Sequence, residues 1–326
     1  MDDKNNGMIP EVKAVDLGHI HKKNRENAFV SEIGKIGENS FQTKIYFPKN
    51  HFLFNDQLMS GLAGSSFFLE ATKQFGTAVC HLFYGHPLWS QFVIKETELE
   101  FTDSRPFVAA RDYFEIRLEI TAEMLTQGLG RKKSLFQFYQ GGTDPFLRIY
   151  YEVIIAEKKL DMDLAADKGE DSKLSAIGGS LIAPREVQLS KPESVFISEV
   201  KLDENSRKAS SAVVVNLNHR LFFEHSLNHV PGDLLFEAGR QLTINSLKKA
   251  FGFLGEQYGD FQKARIKFMK FAELAFPVAL EIEWLEAERI GETTLLPVAL
   301  TYWQNGKKIA VIKDAKFAFA AVKDAR

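Results

Sequence analysis

The stretch Asn218-His219-Arg220-Leu221-Phe222-Phe223-Glu224-His225-Ser226-Leu227-Asn228-His229-Val230-Pro231-Gly232-Asp233-Leu234-Leu235-Phe236-Glu237-Ala238-Gly239-Arg240-Gln241 decides how the rest of the chain reads. Its second half begins a helix. Pro231-Gly232-Asp233 supplies the start, with an acid in the first turn where the helix dipole favours one. From Leu234 to about Phe251, Leu234, Leu235, Ala238, Leu242, Leu247, Ala250 and Phe251 put apolar groups on more than one side. A helix apolar over so much of its girth is buried in its domain.

Outward from this stretch, its parts recur. Glu70-Ala71-Thr72-Lys73-Gln74 returns as Glu237-Ala238-Gly239-Arg240-Gln241, and Phe29-Val30-Ser31-Glu32-Ile33 as Phe196-Ile197-Ser198-Glu199-Val200, both at a spacing of 167 residues. Asn50-His51-x-Leu53-Phe54 matches Asn218-His219-x-Leu221-Phe222 after a shift of one residue. Three collinear matches mark a tandem duplication. The expected layout is a polar N-terminal tail over 1–21, a first repeat over 22–158, a linker over 159–184 and a second repeat over 185–326. The linker is polar and rich in Gly and Ser between Asp163 and Ser180.

Both repeats order their elements alike. Two short extended stretches (Phe29 to Ile33 and Gln42 to Phe47; Val195 to Val200 and Ser211 to Leu217) precede the helix. Four long alternating stretches follow it: Phe92 to Phe101, Tyr113 to Ala122, Ser134 to Tyr139 and Phe146 to Ala156 in the first repeat. Ala264 to Phe271, Val278 to Ala287, Thr293 to Trp303 and Lys308 to Ala320 are their counterparts, with Asn305-Gly306 as a hairpin turn between the last two. One buried helix with an antiparallel sheet, twice over, is an α+β architecture.

Composition narrows the function. With 45% hydrophobic and 26% charged residues, the 326-residue chain has the make-up of a soluble globular protein. A formal charge of −2 gives no electrostatic case for nucleic acid or an anionic membrane surface. The single cysteine, Cys80, excludes an internal disulfide and a cysteine-rich zinc site. No apolar run approaches the roughly 18 residues a membrane span needs, and the polar N-terminus lacks a signal-peptide layout; a cytoplasmic location is expected. The 28 Phe suit packed sheet surfaces or a pocket for an acyl chain, with ordinary core packing as the plainer account.

The long motif resembles that of the hotdog fold, in which a sheet wraps a central helix. It is similar to the β-hydroxyacyl-thioester dehydratases: Phe222-Phe223, His225, Pro231-Gly232, Glu237-Ala238 and Gln241 fill their pattern, with a shorter loop from His225 to Pro231. More specifically, His219-x-x-Phe222-Phe223-x-His225, His229 to Gly232 and Glu237-Ala238-x-Arg240-Gln241 resemble the second-repeat signature of the A-factor biosynthesis hotdog family, whose members carry two such repeats. His51, Glu70 and Gln74 match the first repeat more loosely. The resemblance implies a tandem hotdog fold. It also implies transfer of a β-ketoacyl group from acyl carrier protein to the hydroxyl of a small phosphorylated alcohol, dihydroxyacetone phosphate, in γ-butyrolactone-type signal biosynthesis. A dehydratase or thioesterase acting on acyl-carrier-protein substrates, or a non-catalytic acyl-binding protein, is the alternative.

Such acyl transfer needs a base for the hydroxyl proton and donors for the oxyanion. His225 is the candidate base, with Glu70 and Glu237 as catalytic acids that orient substrate or shuttle a proton. Gly232 at the helix start offers free N–H groups. Arg240 and Lys73, one residue before Gln241 and Gln74, are candidate phosphate ligands; an ion pair of Arg240 with Glu237 is the ordinary alternative. His219 is a candidate substrate contact, but His219 and His51 equally suit structural histidines bonded to a turn, and His229 suits bracing the Val-Pro-Gly turn. Salt bridges on an exposed helix face are the rival account of both glutamates. Neither a metal nor any other cofactor is expected, because the histidines lie on an irregular segment without supporting carboxylates. Dehydratase-type hotdog dimers combine His of one subunit with Glu of the other, so an internal pseudo-dimer would set His225 against Glu70. The first repeat has no histidine near Asp56-Gln57, so one competent and one degenerate site are expected. Further homo-oligomerisation stays open.

Overall fold

A computed structural model describes residues 11–56, 61–103, 107–109, 112–122, 129–156, 179–224, 227–252 and 257–321. Strands β1 (Glu11–Ala14), β2 (Glu32–Lys35), β3 (Ser40–Tyr46) and the short β4 (Leu62–Ala63) precede helix α1 (Ser65–Tyr84). Then come β5 (Gln91–Phe101), the short β6 (Val108–Ala109), β7 (Tyr113–Ala122), β8 (Leu129–Tyr139) and β9 (Leu147–Ala156). The second repeat opens with β10 (Lys201–Asp203), β11 (Lys208–Val213) and β12 (His229–Val230) before α2 (Gly232–Phe251). It ends with β13 (Gln257–Phe268), β14 (Ala272–Glu273), β15 (Val278–Trp284), β16 (Glu288–Ile290), β17 (Thr293–Gln304) and β18 (Lys307–Ala321). The two helices occupy identical spans at the 167-residue spacing found in the sequence.

Almost all strands belong to one antiparallel sheet in the order β1-β2-β3-β7-β8-β9-β5-β13-β18-β17-β15-β11-β10. Outward from β5 and from β13, equivalent strands follow one another in the same order, so the pair β5–β13 is the pseudo-symmetric join. Even an irregularity is duplicated: the register slips between Ile94 and Glu96 on β5, and again between Phe261 and Lys263 on β13, 167 residues later. Such bulges bend a strand and help the sheet curl around its helix. This is a tandem hotdog fold.

Alternation dictates which face each strand buries. In β3 and β15 every second residue is buried against a helix and the rest face solvent. Every residue of α2 from Leu234 to Leu247 is buried, as the all-round apolar pattern requires. The phenylalanines are mainly core: Phe67 and Phe68 on α1 meet Phe114, Phe138 and Phe146 at centroid distances of 5.0 to 6.3 Å. At the Asn305-Gly306 turn both residues have positive φ, 51° and 69°, as a tight two-residue hairpin requires.

Three sequence expectations need correction. Residues 11–21 are no tail: Glu11–Ala14 pairs with β2, and the turn Leu17–Ile20 packs on α1. The end of the expected linker, from Leu181 onward, already pairs with Ser198 of the second repeat; residues 159–178 lie outside the described residues. Phe29 to Ile33 is a regular strand only from Glu32, because the Phe29 amide donates to Gln74 Oε1 instead of to a neighbouring strand. Phe196 does the same with Gln241, and only Ile197 of its stretch bridges to β11.

Candidate active site

The motif residues build two half-sites, each made by both repeats. In one, Glu70 of α1 shares a cavity with Phe54, Ser66 and Leu69 of the first repeat and Phe222, Asp233 and Phe236 of the second. In the other, Glu237 and Arg240 of α2 face Leu53, Phe54, Ser66 and Phe67, with Tyr258 and Asp260 alongside. The join at β5–β13 is what crosses them: it sets the loop before each helix against the other repeat's helix.

The loop ahead of each helix is held by one device used twice. His51 Nδ1 accepts the amides of Leu53 and Phe54 at 3.2 Å, and His219 Nδ1 accepts those of Leu221 and Phe222 at 3.4 Å. His51 Nε2 completes its bonding with Asn27 Oδ1 at 2.8 Å. Burial, with Lys22 and Arg220 nearby, pushes His51 down to about 3 and His219 to about 4. A ring whose Nδ1 must accept two amides stays neutral. Both histidines therefore brace turns through Nδ1; among the described residues the buried Nε2 of His219 has no hydrogen-bond partner, whereas that of His51 has Asn27.

The two glutamines are structural as well. Gln74 bridges the Phe29 amide, the Asn27 carbonyl (2.7 Å) and Glu70 (2.8 Å). Gln241 bridges the Phe196 amide, the Ser194 carbonyl (2.8 Å) and Glu237 (3.0 Å). Each ties its helix to the start of its own repeat, which leaves no free donor for the substrate-binding role expected of them.

Around the acids the half-sites diverge. Arg240 grips Glu237 with two parallel bonds, Nε–Oε2 at 2.8 Å and Nη2–Oε1 at 2.7 Å, while Ser66 Oγ donates to Oε2 at 2.5 Å across the join. Every acceptor of Glu237 is taken. Burial alone would raise its carboxyl, but Arg240, Ser66 and Gln241 hold it below the ordinary range. Arg240 has only 3% of its side chain exposed and also reaches the Gly259 carbonyl at 3.4 Å, so the ion pair, not phosphate, is its partner here. Asp260 accepts from Ser65 at both its amide (3.0 Å) and its hydroxyl (2.5 Å), capping α1 from the second repeat. Burial raises its carboxyl.

Glu70 is held differently. Lys73 Nζ lies 2.5 Å from its Oε2 and also bonds Asp233, in the first turn of α2. Lys22 Nζ lies 2.8 Å from Oε1 and 3.5 Å from Oε2 of Glu224. Against the upward pull of burial, Lys22, Lys73 and Gln74 keep Glu70 a carboxylate. Lys73, raised by Asp233 and Glu70, is one-third exposed and the more accessible cation. Gly232 opens α2 where a Cβ would lie 2.9 Å from the Phe268 ring, so glycine there allows the helix start to sit close under β13. His225 and Gln57 lie outside the described residues. Glu224, the residue before His225, stands on the Glu70 side of the join.

Sequence reasoning missed Lys22, Asn27, Ser66, Glu224 and Asp260. Glu224 and Asp56 do occupy matching places after Asn218-His219 and Asn50-His51, and both accept from the other end of the repeat pair: Asn24 N to Glu224 at 3.0 Å, Lys191 N to Asp56 at 3.1 Å. That correspondence was available in the duplication.

The A-factor biosynthesis hotdog domain matches residues 5–133 and 179–320, most of the chain. The chain belongs to the A-factor biosynthesis hotdog family. Among relatives of the family member described here, the 2-oxo-3-(phosphooxy)propyl 3-oxoalkanoate synthase of Streptomyces griseus is 24% identical over 312 residues, covering 91% of this chain and 94% of its own. The synthase of the same name from Streptomyces virginiae is 22% identical over 281 residues, covering 84% and 88%. Among solved structures, the dehydratase domain of RzxB from Pseudomonas fluorescens aligns with a TM-score of 0.45 at 12% identity, covering 87% of this chain and 95% of that one. Among the described residues no helix is long and apolar enough to cross a membrane.

Proposed function

We propose that this protein is a cytoplasmic acyltransferase that moves a β-ketoacyl group from an acyl carrier protein thioester to the hydroxyl of a small phosphorylated alcohol such as dihydroxyacetone phosphate. The observation that carries this reading is the crossed cavity holding Glu70 of one repeat and Phe222 of the other. It occurs in a chain alignable over 91% of its length with a synthase whose name joins a 3-oxoalkanoate to a phosphooxypropyl unit.

In this scheme His225 takes the proton from the acceptor hydroxyl while that oxygen attacks the thioester carbonyl. Amides at the start of α2 support the oxyanion. As the intermediate collapses, the carbon–sulfur bond breaks and the proton passes to the leaving thiolate, so no redox or metal cofactor is called for. Glu70, kept ionised, is the carboxylate that orients the substrate. A dehydratase would instead need a carboxylic acid able to donate, and both helical glutamates are held as carboxylates. The same cations disfavour that alternative. Lys73 is the cation best exposed to meet the acceptor's phosphate. The competent half-site is that of Glu70; that of Glu237 is the degenerate one.

Incubation with β-ketoacyl carrier protein and dihydroxyacetone phosphate, followed by mass spectrometry, tests the reading. The expected products are the phosphorylated ester and the free carrier thiol. Dehydrated acyl carrier or free β-keto acid in their place would overturn it. His225→Ala should lower the rate by about 100-fold or more, the usual share of a general base.

A further inference from the structure

We propose that Lys22 is a positioning residue of the Glu70 half-site: its ammonium ties the carboxylate of Glu70 on the first repeat's helix to Glu224 on the second repeat's loop. The inference rests on the acyl-transfer reading for its kinetic consequence but on geometry for its existence. Lys22 Nζ sits 2.8 Å from Glu70 and 3.5 Å from Glu224, with 6% of its side chain exposed. Each carboxylate is 2% exposed. Glu224 Oε1 is occupied by the Asn24 amide and Asn27 Nδ2, at 3.0 and 2.9 Å, so Lys22 is the counter-charge facing its other oxygen.

The pseudo-symmetric half-site explains why a second cation is needed. The residue 167 positions after Lys22 is Leu189, which lines the Glu237 cavity and carries no charge. There Arg240 satisfies both oxygens of its glutamate with one planar fork. Lys73, the counterpart of Arg240, is a point charge shared with Asp233 and cannot do the same. Lys22 supplies the missing contact from outside the helix and, in doing so, reaches the other repeat.

Its own place is fixed. The Lys22 amide donates to the Leu17 carbonyl at 2.9 Å, and the preceding His21, in the left-handed region at φ 53°, sets its Nε2 3.0 Å from that of His81 on α1. Among the described residues the ionisable groups facing Glu70 are Lys22, Lys73 on its own helix, His51 from the loop ahead of α1, and Tyr151 on β9; Asp233 of α2 and Glu224 act on it through the two lysines. Removing Lys22 would leave two buried carboxylates near one another, with Lys73 as the remaining cation on Glu70 beside the neutral donor Gln74.

The test uses the full chain with Lys22→Met, Lys22→Arg and the double variant Lys22→Met/Glu224→Gln. In Lys22→Met the acid limb of the pH–kcat profile for acyl transfer should move up by at least one pH unit, with kcat falling about tenfold and KM little changed. Lys22→Arg should bring the limb back. The double variant, which removes the uncompensated Glu224 charge, guards against a Lys22→Met protein that fails to fold and should show the same shift. Carbon-13 NMR titration of the Glu70 carboxyl reads the same displacement without turnover. A chain inactive in acyl transfer yet showing the NMR shift would refute the reaction and uphold the position of Lys22. An unmoved Glu70 titration in a folded variant would overturn the proposal.

Discussion

At the scale of single residues, charge placement separates the two half-sites. Arg240 and Glu237 are a buried, bidentate pair with no exposed edge, and breaking one side leaves the other uncompensated. Arg240→Met should therefore cost about 3–5 kcal/mol in denaturant unfolding, while Arg240→Lys should recover only part, since an ammonium cannot span both oxygens. An Arg240→Met protein of unchanged stability would refute the lock. The neutral histidines make a second claim. Their folded values, about 3 for His51 and about 4 for His219, lie below the ordinary histidine value of about 6.5. The unfolded chain thus binds protons that the folded one refuses. Stability is full above pH 6.5 and falls as pH drops toward 4, by up to about 1.4 kcal/mol per pH unit for each ring. His51→Asn/His219→Asn keeps an acceptor for the turn amides and should flatten that slope in unfolding curves measured from pH 7 to 4.5.

At the scale of elements, the join between β5 and β13 holds the two repeats edge to edge in one sheet. Its inner face pairs Leu99 with Ala264 and Thr97 with Ile266, and its outer face pairs Glu96, Glu98 and Glu100 with Lys267, Arg265 and Lys263. Lys263 Nζ lies 3.1 Å from Glu100 and 3.7 Å from Glu98. Partly exposed pairs of this kind are worth only about 0.2–1 kcal/mol each. They set register more than they add stability, since a one-residue slip in either direction would set Glu96 and Glu98 opposite apolar residues and take Glu100 from its lysine. The helices show how far local signals reach. Pro231 starts α2 where the sequence indicates, and Gly85 and Gly252 end the helices in the left-handed conformation at φ 71° and 63°. The N-terminus of α1 has no side-chain cap of its own, and Asp260 from the other repeat supplies it, which no local pattern could reveal.

For the whole molecule, one apolar cluster runs through both repeats, from Ile20 to Phe319. The repeats also exchange polar contacts: Ser66 with Glu237, Lys73 with Asp233, Ser65 with Asp260, and Asp56 with Ser190. Units joined through a shared core and a continuous sheet should unfold together. Calorimetry should give a single transition with a van't Hoff enthalpy equal to the calorimetric one. Two resolved transitions would show that the repeats are thermodynamically independent.

Some of this was already determined by the order of residues. The duplication at 167 residues, the buried helices with their Glu and Gln, and the alternation along strands such as Ser40–Tyr46 and Val278–Trp284 are local or periodic properties, and periodicity needs no knowledge of partners. The strand expected from Ala264 in fact starts at Gln257. The tertiary structure decided what could not be local. It turned Glu11–Ala14 into an edge strand, spent Gln74 and Gln241 on backbone amides, closed Arg240 onto Glu237, and brought Lys22 to Glu70 and Glu224. The reason is physical. A charge's partner is set by which surfaces meet when two sheets join edge to edge, and residues as far apart as 22 and 224 carry no sign of that meeting until the chain has folded.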